Sequence, residues 1–210
     1  PITINNANET NTFDEYISDP NKPVPFIPNV AIGMTDEHMT DDQRFASSRT
    51  DVLTFVTEPL TEDITIAGPI SPKLFVSTTG TDSDFVVKLI DVYPEHHPEN
   101  WGLAGYQLMV SNEVFRGRYR QGFETPAPIP ANTVQPYTFS LHTQNYTFKA
   151  GHRVMVQVQS TWFPIIDRNP QTFTKSIFDA EEKDFVRATH RVYRSARYPS
   201  RVDVPVVTAR

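Results

Sequence analysis

Residues 84–93, D-F-V-V-K-L-I-D-V-Y, constrain the fold more than any other part of the chain. Side chains on a strand alternate between faces, so Phe85, Val87 and Leu89 fall on one face and Val86, Ile90 and Val92 on the other. Lys88 breaks the second of these faces. A strand that is apolar on both faces must be covered on both sides, which predicts a central strand.

Similar alternation recurs along the chain. Residues 51–57 set Val52, Thr54 and Val56 against Leu53 and Phe55, and Tyr137, Phe139 and Leu141 alternate with Thr138, Ser140 and His142. Val154, Val156 and Val158 alternate with Arg153, Met155, Gln157 and Gln159. Further strands are predicted at residues 69–77, 106–110, 114–119, 185–193 and 201–206, and only residues 178–184 read as helical. Eighteen prolines against eight glycines agree with short elements and stiff connections, because proline is excluded from helix interiors and central strand positions. About nine strands without helical repeats predict an all-β fold, a jelly-roll type sandwich of two antiparallel sheets around one core.

A chain of 210 residues can bury roughly 70% of its unfolded surface, enough for one domain. That domain is read as residues 51–210. Residues 1–50 have little periodicity and contain D-P-N-K-P-V-P-F-I-P between Asp19 and Pro28, so they read as an extended N-terminal arm that docks through Phe13, Tyr16, Val24, Phe26 and Ile27. The chain begins at Pro1 rather than Met, which reads as a processed or excised segment. A net charge of -6, spread along the chain, disfavours a nucleic-acid partner, which needs a concentrated basic surface. No run approaches the ~18 to 20 apolar residues of a membrane-spanning helix, and no membrane partner is expected. The absence of cysteine excludes disulfides, thiolate metal sites and a cysteine nucleophile.

Catalytic motifs are missing. A nucleophile elbow, G-x-S-x-G, needs two glycines four apart, and no pair here has that spacing. Gly117 and Gly122 have phosphate-loop spacing but lack the lysine and hydroxyl that grip phosphate and magnesium. His96 and His97, beside Glu95 and Glu99, read as a solvated loop, and His190 reads as a core histidine with a hydrogen-bond partner. Asp82 and Asp84 read as turn aspartates in preference to a calcium loop. No catalytic residue, metal site or cofactor is therefore assigned.

Two features read as contact surface. Arg116, Arg118 and Arg120 share a face if residues 114–119 are a strand, and arginines so placed need an acidic partner because they cannot shed their charge. They read either as an anchor to a neighbouring domain or as a solvated edge. Residues 161–172, T-W-F-P-I-I-D-R-N-P-Q-T, interleave Trp162, Phe163, Ile165 and Ile166 with Asp167, Arg168 and Asn169 between prolines. That composition suits a loop that docks on a partner domain or closes the end of the sandwich.

Several ordered blocks also carry a resemblance. They are D-Q-R-F-A-S-S-R-T-D-V-L-T-F-V-T-E-P-L from about Asp41, A-G-P at Ala67, Gly68 and Pro69, and D-F-V-V-K-L-I-D-V-Y-P from Asp84. G-Y-Q-L-M-V-S-N-E-V-F-R-G-R-Y-R-Q-G-F follows from Gly105, A-G-H-R-V-M-V-Q-V-Q-S from Ala150, D-R-N-P from Asp167 and P-S-R-V-D-V-P-V from Pro199. Together they resemble the C-terminal β-domain of the X-Pro dipeptidyl-peptidase and CocE/NonD hydrolases, most of all the α-amino acid ester hydrolases and glutaryl-7-aminocephalosporanic acid acylases. The resemblance implies a galactose-binding-domain-like jelly roll, with residues 1–50 leading from a hydrolase core outside this chain. It also implies a serine hydrolase cleaving α-amino acid esters, β-lactam acyl amides or X-Pro dipeptides.

In that family an α/β-hydrolase core and a helical cap supply the catalytic serine, aspartate and histidine and the pocket. No position of this chain matches those motif residues. The implied partners are therefore the chain's own hydrolase and cap domains, the acyl or peptide substrate through the parent enzyme, and in the parent a second copy. Arg116, Arg118, Arg120, Trp162, Phe163, Asp167, Arg168 and Asn169 are the candidates for the domain interface or the cleft wall. The compartment stays open between cytoplasm and periplasm or secretion, with the resemblance favouring the periplasm. The competing reading is a carbohydrate- or ligand-binding jelly roll that uses Trp101 and Trp162.

Overall fold

The computed structural model describes residues 2–3 and 12–207. In chain order its strands are β1 (Ile2–Thr3), β2 (Phe13–Ser18), β3 (Leu53–Val56), β4 (Ile64–Pro69), β5 (Ser71–Thr78) and β6 (Asp84–Val92). They continue as β7 (Gln107–Arg116), β8 (Gln135–Thr138), β9 (Thr143–Phe148), β10 (Arg153–Gln159), β11 (Ala188–Tyr193) and β12 (Arg201–Asp203). One α-helical turn, α1 (Arg44–Ser47), lies in the arm. Every strand pairing is antiparallel.

The strands form an all-β sandwich. One sheet runs β1-β12-β5-β11-β2, with β8 on the opposite edge of β5, and the other runs β3-β10-β6-β7. Between them lies the main core, in which Phe85, Val87 and Leu89 of β6 and Val154, Val156 and Val158 of β10 meet Leu74 and Val76 of β5, Tyr137, Val192 and Val202. These are the faces the alternation predicts. A two-stranded ribbon, β4-β9, adds Ile66 and Phe148 to the same core. The ribbon is absent from the sequence reading because I-T-I-A-G-P and T-Q-N-Y-T-F have weak alternation.

The other face of β6 is also covered. Val86 packs with Phe26, Ile27, Met109 and Trp162, so the arm and the loop after β10 supply the outer layer. Arm and loop are joined by backbone bonds, Phe26 N–H to Phe163 O and Phe163 N–H to Val24 O, each 2.9 Å. Farther back, β2 extends the first sheet by pairing with β11, so the arm contributes a strand as well as a cover.

Other boundaries move for identifiable reasons. Residues 106–110 and 114–119, read as two strands, form the single strand β7, because a bulge opposite Leu89 and Ile90 breaks the alternation in its middle. β7 ends at Arg116, since Gly117 passes against other backbone: a Cβ there would lie 2.8 Å from Ser83 O and 2.6 Å from Ile129 Cδ1. Residues 178–184 form two 3-10 turns, Ile177–Asp179 and Glu182–Asp184, rather than a helix. Val186 precedes β11 and is partly exposed, off the face that buries Ala188, His190 and Val192.

Where β11 crosses the core, a polar chain satisfies itself. Gln171 Nε2 donates to Ser18 O and to Val186 O, each at 2.9 Å, which turns Gln171 Oε1 toward His190. His190 Nε2–H donates to it at 2.6 Å, leaving Nδ1 to accept from the Ser160 hydroxyl at 3.0 Å. Ser160 Oγ accepts in turn from the Tyr16 hydroxyl at 2.6 Å. Burial holds the His190 pKa down at about 3 from its ordinary 6.5, so the folded chain keeps the ring neutral.

Between pH 6.5 and 3 the unfolded chain binds a proton at this histidine that the folded chain refuses, so stability falls as pH is lowered through that window. His190→Asn should flatten this slope in urea titrations run at stepped pH. Comparing the two proteins cancels the other titrating groups, and equal slopes would rule out a neutral buried His190.

Candidate functional site

The start of β6 carries two carboxylates that the sequence reading assigned to a turn. Asp82 and Asp84 are both 0% exposed, and each faces an arginine instead. Arg116 Nη2 lies 3.2 Å from Asp84 Oδ2, and Arg118 Nε lies 3.2 Å from Asp82 Oδ2. Asp82 keeps one turn bond, from Ser83 N–H at 2.9 Å. The turn assignment is thus corrected: a carboxylate this buried persists only where charge and hydrogen bonds replace water.

The three arginines do not share a strand face, because residues Gly117–Tyr119 form a 3-10 turn. Each instead fastens a different segment. Arg116 Nη1 reaches Asp167 at 2.8 Å in addition to Asp84, tying β7 to the loop after β10. Arg118 is buried, donates to Thr174 O, and has its guanidinium 4.9 Å from the Phe173 ring centroid. Arg120 donates to Ala127 O at 2.7 Å and to Pro128 O at 2.6 Å, closing the proline-rich connection before β8. Pointing three ways, the guanidiniums avoid the mutual repulsion of a common face.

Residues 161–172 fold onto the same cluster. Asn169 Nδ2 donates to Asp84 Oδ1 at 3.0 Å, while its Oδ1 accepts from Gln171 N–H at 2.7 Å. Arg168 donates to Pro20 O at 3.2 Å and lies 4.9 Å from the Phe185 ring centroid. Trp162 is buried beneath the arm, whereas Phe163 is exposed and Asp167 and Arg168 are half-buried. The loop thus packs within the domain through Trp162 and Asn169 and presents Phe163, Asp167 and Arg168 at its surface. Of the two tryptophans weighed for sugar binding, Trp101 alone is exposed.

The electrostatics of the cluster follow from burial. Burial raises the Asp84 pKa to about 6 against the opposing pull of Arg116, and burial likewise raises Asp82 against Arg118. For Arg116, burial works against the charge, but Asp84 and Asp167 outweigh it and lift its pKa above the ordinary value. At both sites the facing guanidinium opposes the effect of burial on the carboxylate. Each carboxylate faces a guanidinium.

Lys88, the break in the β6 pattern, is 0% exposed on the arm-covered face. Its Nζ donates to Gln43 Oε1 at 2.8 Å and lies 4.7 Å from the Trp162 ring centroid. Burial lowers its pKa to about 7. The lysine thereby links three segments, with β6 below, Gln43 of the arm on one side and the 161–172 loop on the other. Sequence reasoning noted the residue and missed its role, and the available signal was a lysine among Val86, Ile90 and Val92 on one face of the central strand.

Ser160 and His190 place a hydroxyl beside an imidazole. The pair is sealed in the core with both groups already bonded. Among the described residues no group of three or more His, Asp or Glu is placed to hold a metal ion. A surface cavity of about 320 Å³ beside β2 is lined by Lys22 and by two closed ion pairs, Arg49–Asp51 and Arg187–Asp19, each at 2.7 Å. What the fold and the cluster define is a scaffold: an all-β sandwich whose polar interior ties its own loops together.

The family described as the X-Pro dipeptidyl-peptidase C-terminal non-catalytic domain matches residues 9–203, and the chain belongs to it. It is 32% identical over 199 residues to the cocaine esterase of Rhodococcus sp. (strain MB1 Bresler), covering 94% of this chain and 33% of the esterase. An aminopeptidase from the marine sediment archaeon Thaumarchaeota archaeon superposes with a TM-score of 0.95 and 43% identity, over 99% of this chain and 36% of that one. An α-amino acid ester hydrolase superposes with a TM-score of 0.91 and 51% identity, over 96% of this chain and 33% of its own. The chain thus spans about a third of the length of these relatives.

Two substitutions separate the ionic roles. Arg116→Met leaves Asp84 buried without its counter-charge and should lower the unfolding free energy by about 3–5 kcal/mol, read by urea denaturation. Adding Asp84→Leu should restore part of the loss, and a double variant no better than the single one would show that the pair is not what matters.

Lys88→Met tests the other buried charge. Between pH 7 and 10.5 the unfolded lysine keeps a proton that the folded one sheds, so this group makes stability rise with pH across that window. The methionine variant should therefore gain most below pH 7, by about 1–4 kcal/mol, and lose its advantage as pH climbs toward 10.5. An advantage independent of pH would contradict a buried ammonium.

Proposed function

We propose that this chain is the non-catalytic β-domain of a larger serine hydrolase that cleaves ester or amide bonds. The substrates on this reading are α-amino acid esters, β-lactam acyl amides or X-Pro dipeptides. The single observation that carries it is the family match over residues 9–203 in a chain that accounts for about a third of its relatives' length.

In this reading an α/β-hydrolase body outside the chain supplies the serine nucleophile, the histidine that relays its proton, the aspartate that orients the histidine and the backbone donors for the oxyanion. The β-domain supplies rigidity. Catalytic geometry tolerates displacements of only a fraction of an ångström, so a wall of the cleft is best built on a packed scaffold. Phe163, Asp167 and Arg168 suit such a wall. They sit at the surface of a loop whose underside is fixed by Trp162, Asn169 and the Arg116–Asp84 pair.

The test compares two purified proteins with an α-amino acid ester. The chain alone should hydrolyse it no faster than buffer, whereas the complete gene product, with the upstream region encoding a G-x-S-x-G elbow, should turn it over. Saturable turnover by the chain alone would overturn the non-catalytic role. An upstream region without a hydrolase would overturn the parent enzyme and favour a ligand-binding module centred on Trp101.

A further inference from the structure

One stretch of this domain leaves its large apolar side chains open to solvent. Ile27 and Gln43 are buried anchors of the arm, yet between them Val30 and Ile32 are each 104% exposed, Met34 62% and Met39 59%. Four large apolar side chains exposed within ten residues make an apolar strip along the chain, a pattern that solvent-facing loops of an isolated domain do not normally maintain. Among the described residues no backbone N–H of residues 29–35 donates a hydrogen bond. Residues 29–35 therefore have no ladder of their own, and beyond them the 3-10 turn Asp36–Met39 rests on the domain through His38, whose ring lies 5.8 Å from Phe26 and 6.1 Å from Trp162.

Neighbouring residues widen the strip. The turn Trp101–Leu103 lies beside the arm: Tyr106 Oη donates to Thr40 O at 2.5 Å, and Arg44 Nη1 donates to Ala104 O at 3.2 Å. Trp101 itself is 89% exposed. On the other flank Phe163, also exposed, is backbone-bonded to Val24 and Phe26 just ahead of the strip. The surroundings are acidic, with Asp36, Glu37, Glu95 and Glu99 all exposed.

We propose that residues 28–39, with Trp101 and Phe163, form the surface that seats the catalytic body of the same polypeptide. The body meets it with an apolar face rimmed by basic side chains. The inference rests on the functional reading above and deepens it, because it names where the domains meet. The occupant follows from length: the relatives superpose on 96–99% of this chain while only 33–36% of their own chains is thereby used. The remaining two-thirds is tethered to this domain and meets the strip at a high effective concentration that a second copy lacks. An apolar centre with a charged rim is also the anatomy of an interface, since burial of the centre drives association and the rim sets register.

The experiment is amide hydrogen exchange, followed by mass spectrometry, on the complete gene product. Residues 29–35 should exchange at least about 100-fold more slowly than an unstructured chain, because docking closes a segment whose backbone N–H groups make no hydrogen bonds within the domain. The paired substitutions Val30→Asp and Ile32→Asp should return them to fast exchange and lower the melting temperature of the catalytic body. Protection of β6 and β10 should stay unchanged, since neither side chain belongs to the core.

Fast exchange of residues 29–35 in an active hydrolase would overturn this inference alone. So would protection that disappears on dilution, because the strip would then seat a second copy. A gene product without a hydrolase would overturn both this inference and the functional reading.

Discussion

The structure depends on one demand: β6 is apolar on both faces, so the sandwich has to have a third layer. A strand in an ordinary two-sheet sandwich hides one face and wets the other. Here Phe85, Val87 and Leu89 fill the space between the sheets, and Val86 and Ile90 need a cover beyond them. Phe26, Ile27 and Trp162 provide it over Val86, with the arm and the loop after β10 bonded to each other through Val24, Phe26 and Phe163, while Ile90 packs with Val92 and Met155. Neither segment has the periodicity of a strand or helix, because each is shaped by the surface beneath it.

Burial on both faces also decides where charge can be placed. Once β6 is enclosed, Asp84 at its start and Lys88 at its middle are removed from water, and each must find compensation from whatever covers it. Asp84 recruits Arg116 and Asn169, and Arg116 carries the connection on to Asp167. Lys88 recruits Gln43 and the Trp162 ring. The same side chains that neutralise the buried charges thereby order the arm and the 161–172 loop. Apolar contacts alone would leave the cover free to slide, whereas directed bonds to single atoms fix its position.

This coupling explains what could be read in the sequence and what could not. The alternation of residues 84–93 and 153–159 placed every core face of β6 and β10 correctly, because a period of two survives wherever one strand meets two neighbours. It failed at Val110, where a bulge interrupts the period, and at Gly117, where close backbone approach ends the strand and redirects Arg118 and Arg120. Isolated single-residue effects leave no periodic trace. The candidate site was legible only as composition: Arg116 and Arg118 read as arginines in need of acidic partners, and Asp167 and Asn169 as part of a docking or sandwich-closing loop. The arginines' partners, Asp84 for Arg116 at a separation of 32 residues and Asp82 for Arg118 at 36, are local in space but remote in sequence. Gln43 and Gln171 gave no signal at all, since an amide that completes a buried network looks like any surface glutamine until its neighbours are known.

The choice of a neutral amide opposite Lys88 has a consequence for how firmly the cover is held. A carboxylate there would bind the ammonium strongly and would be left buried and unpaired when the lysine lost its proton. Gln43 avoids that dependence. With a pKa of about 7, Lys88 changes charge near neutrality, yet a neutral amine still carries N–H donors, so its bond to Gln43 Oε1 persists on both sides of the transition. Only the attraction to the Trp162 face is confined to the charged form. The clamp between β6 and the arm therefore survives changes of protonation that would open an ion pair. It leaves the anchor at Gln43, and with it one end of the exposed strip at residues 28–39, in a constant position across neutral pH.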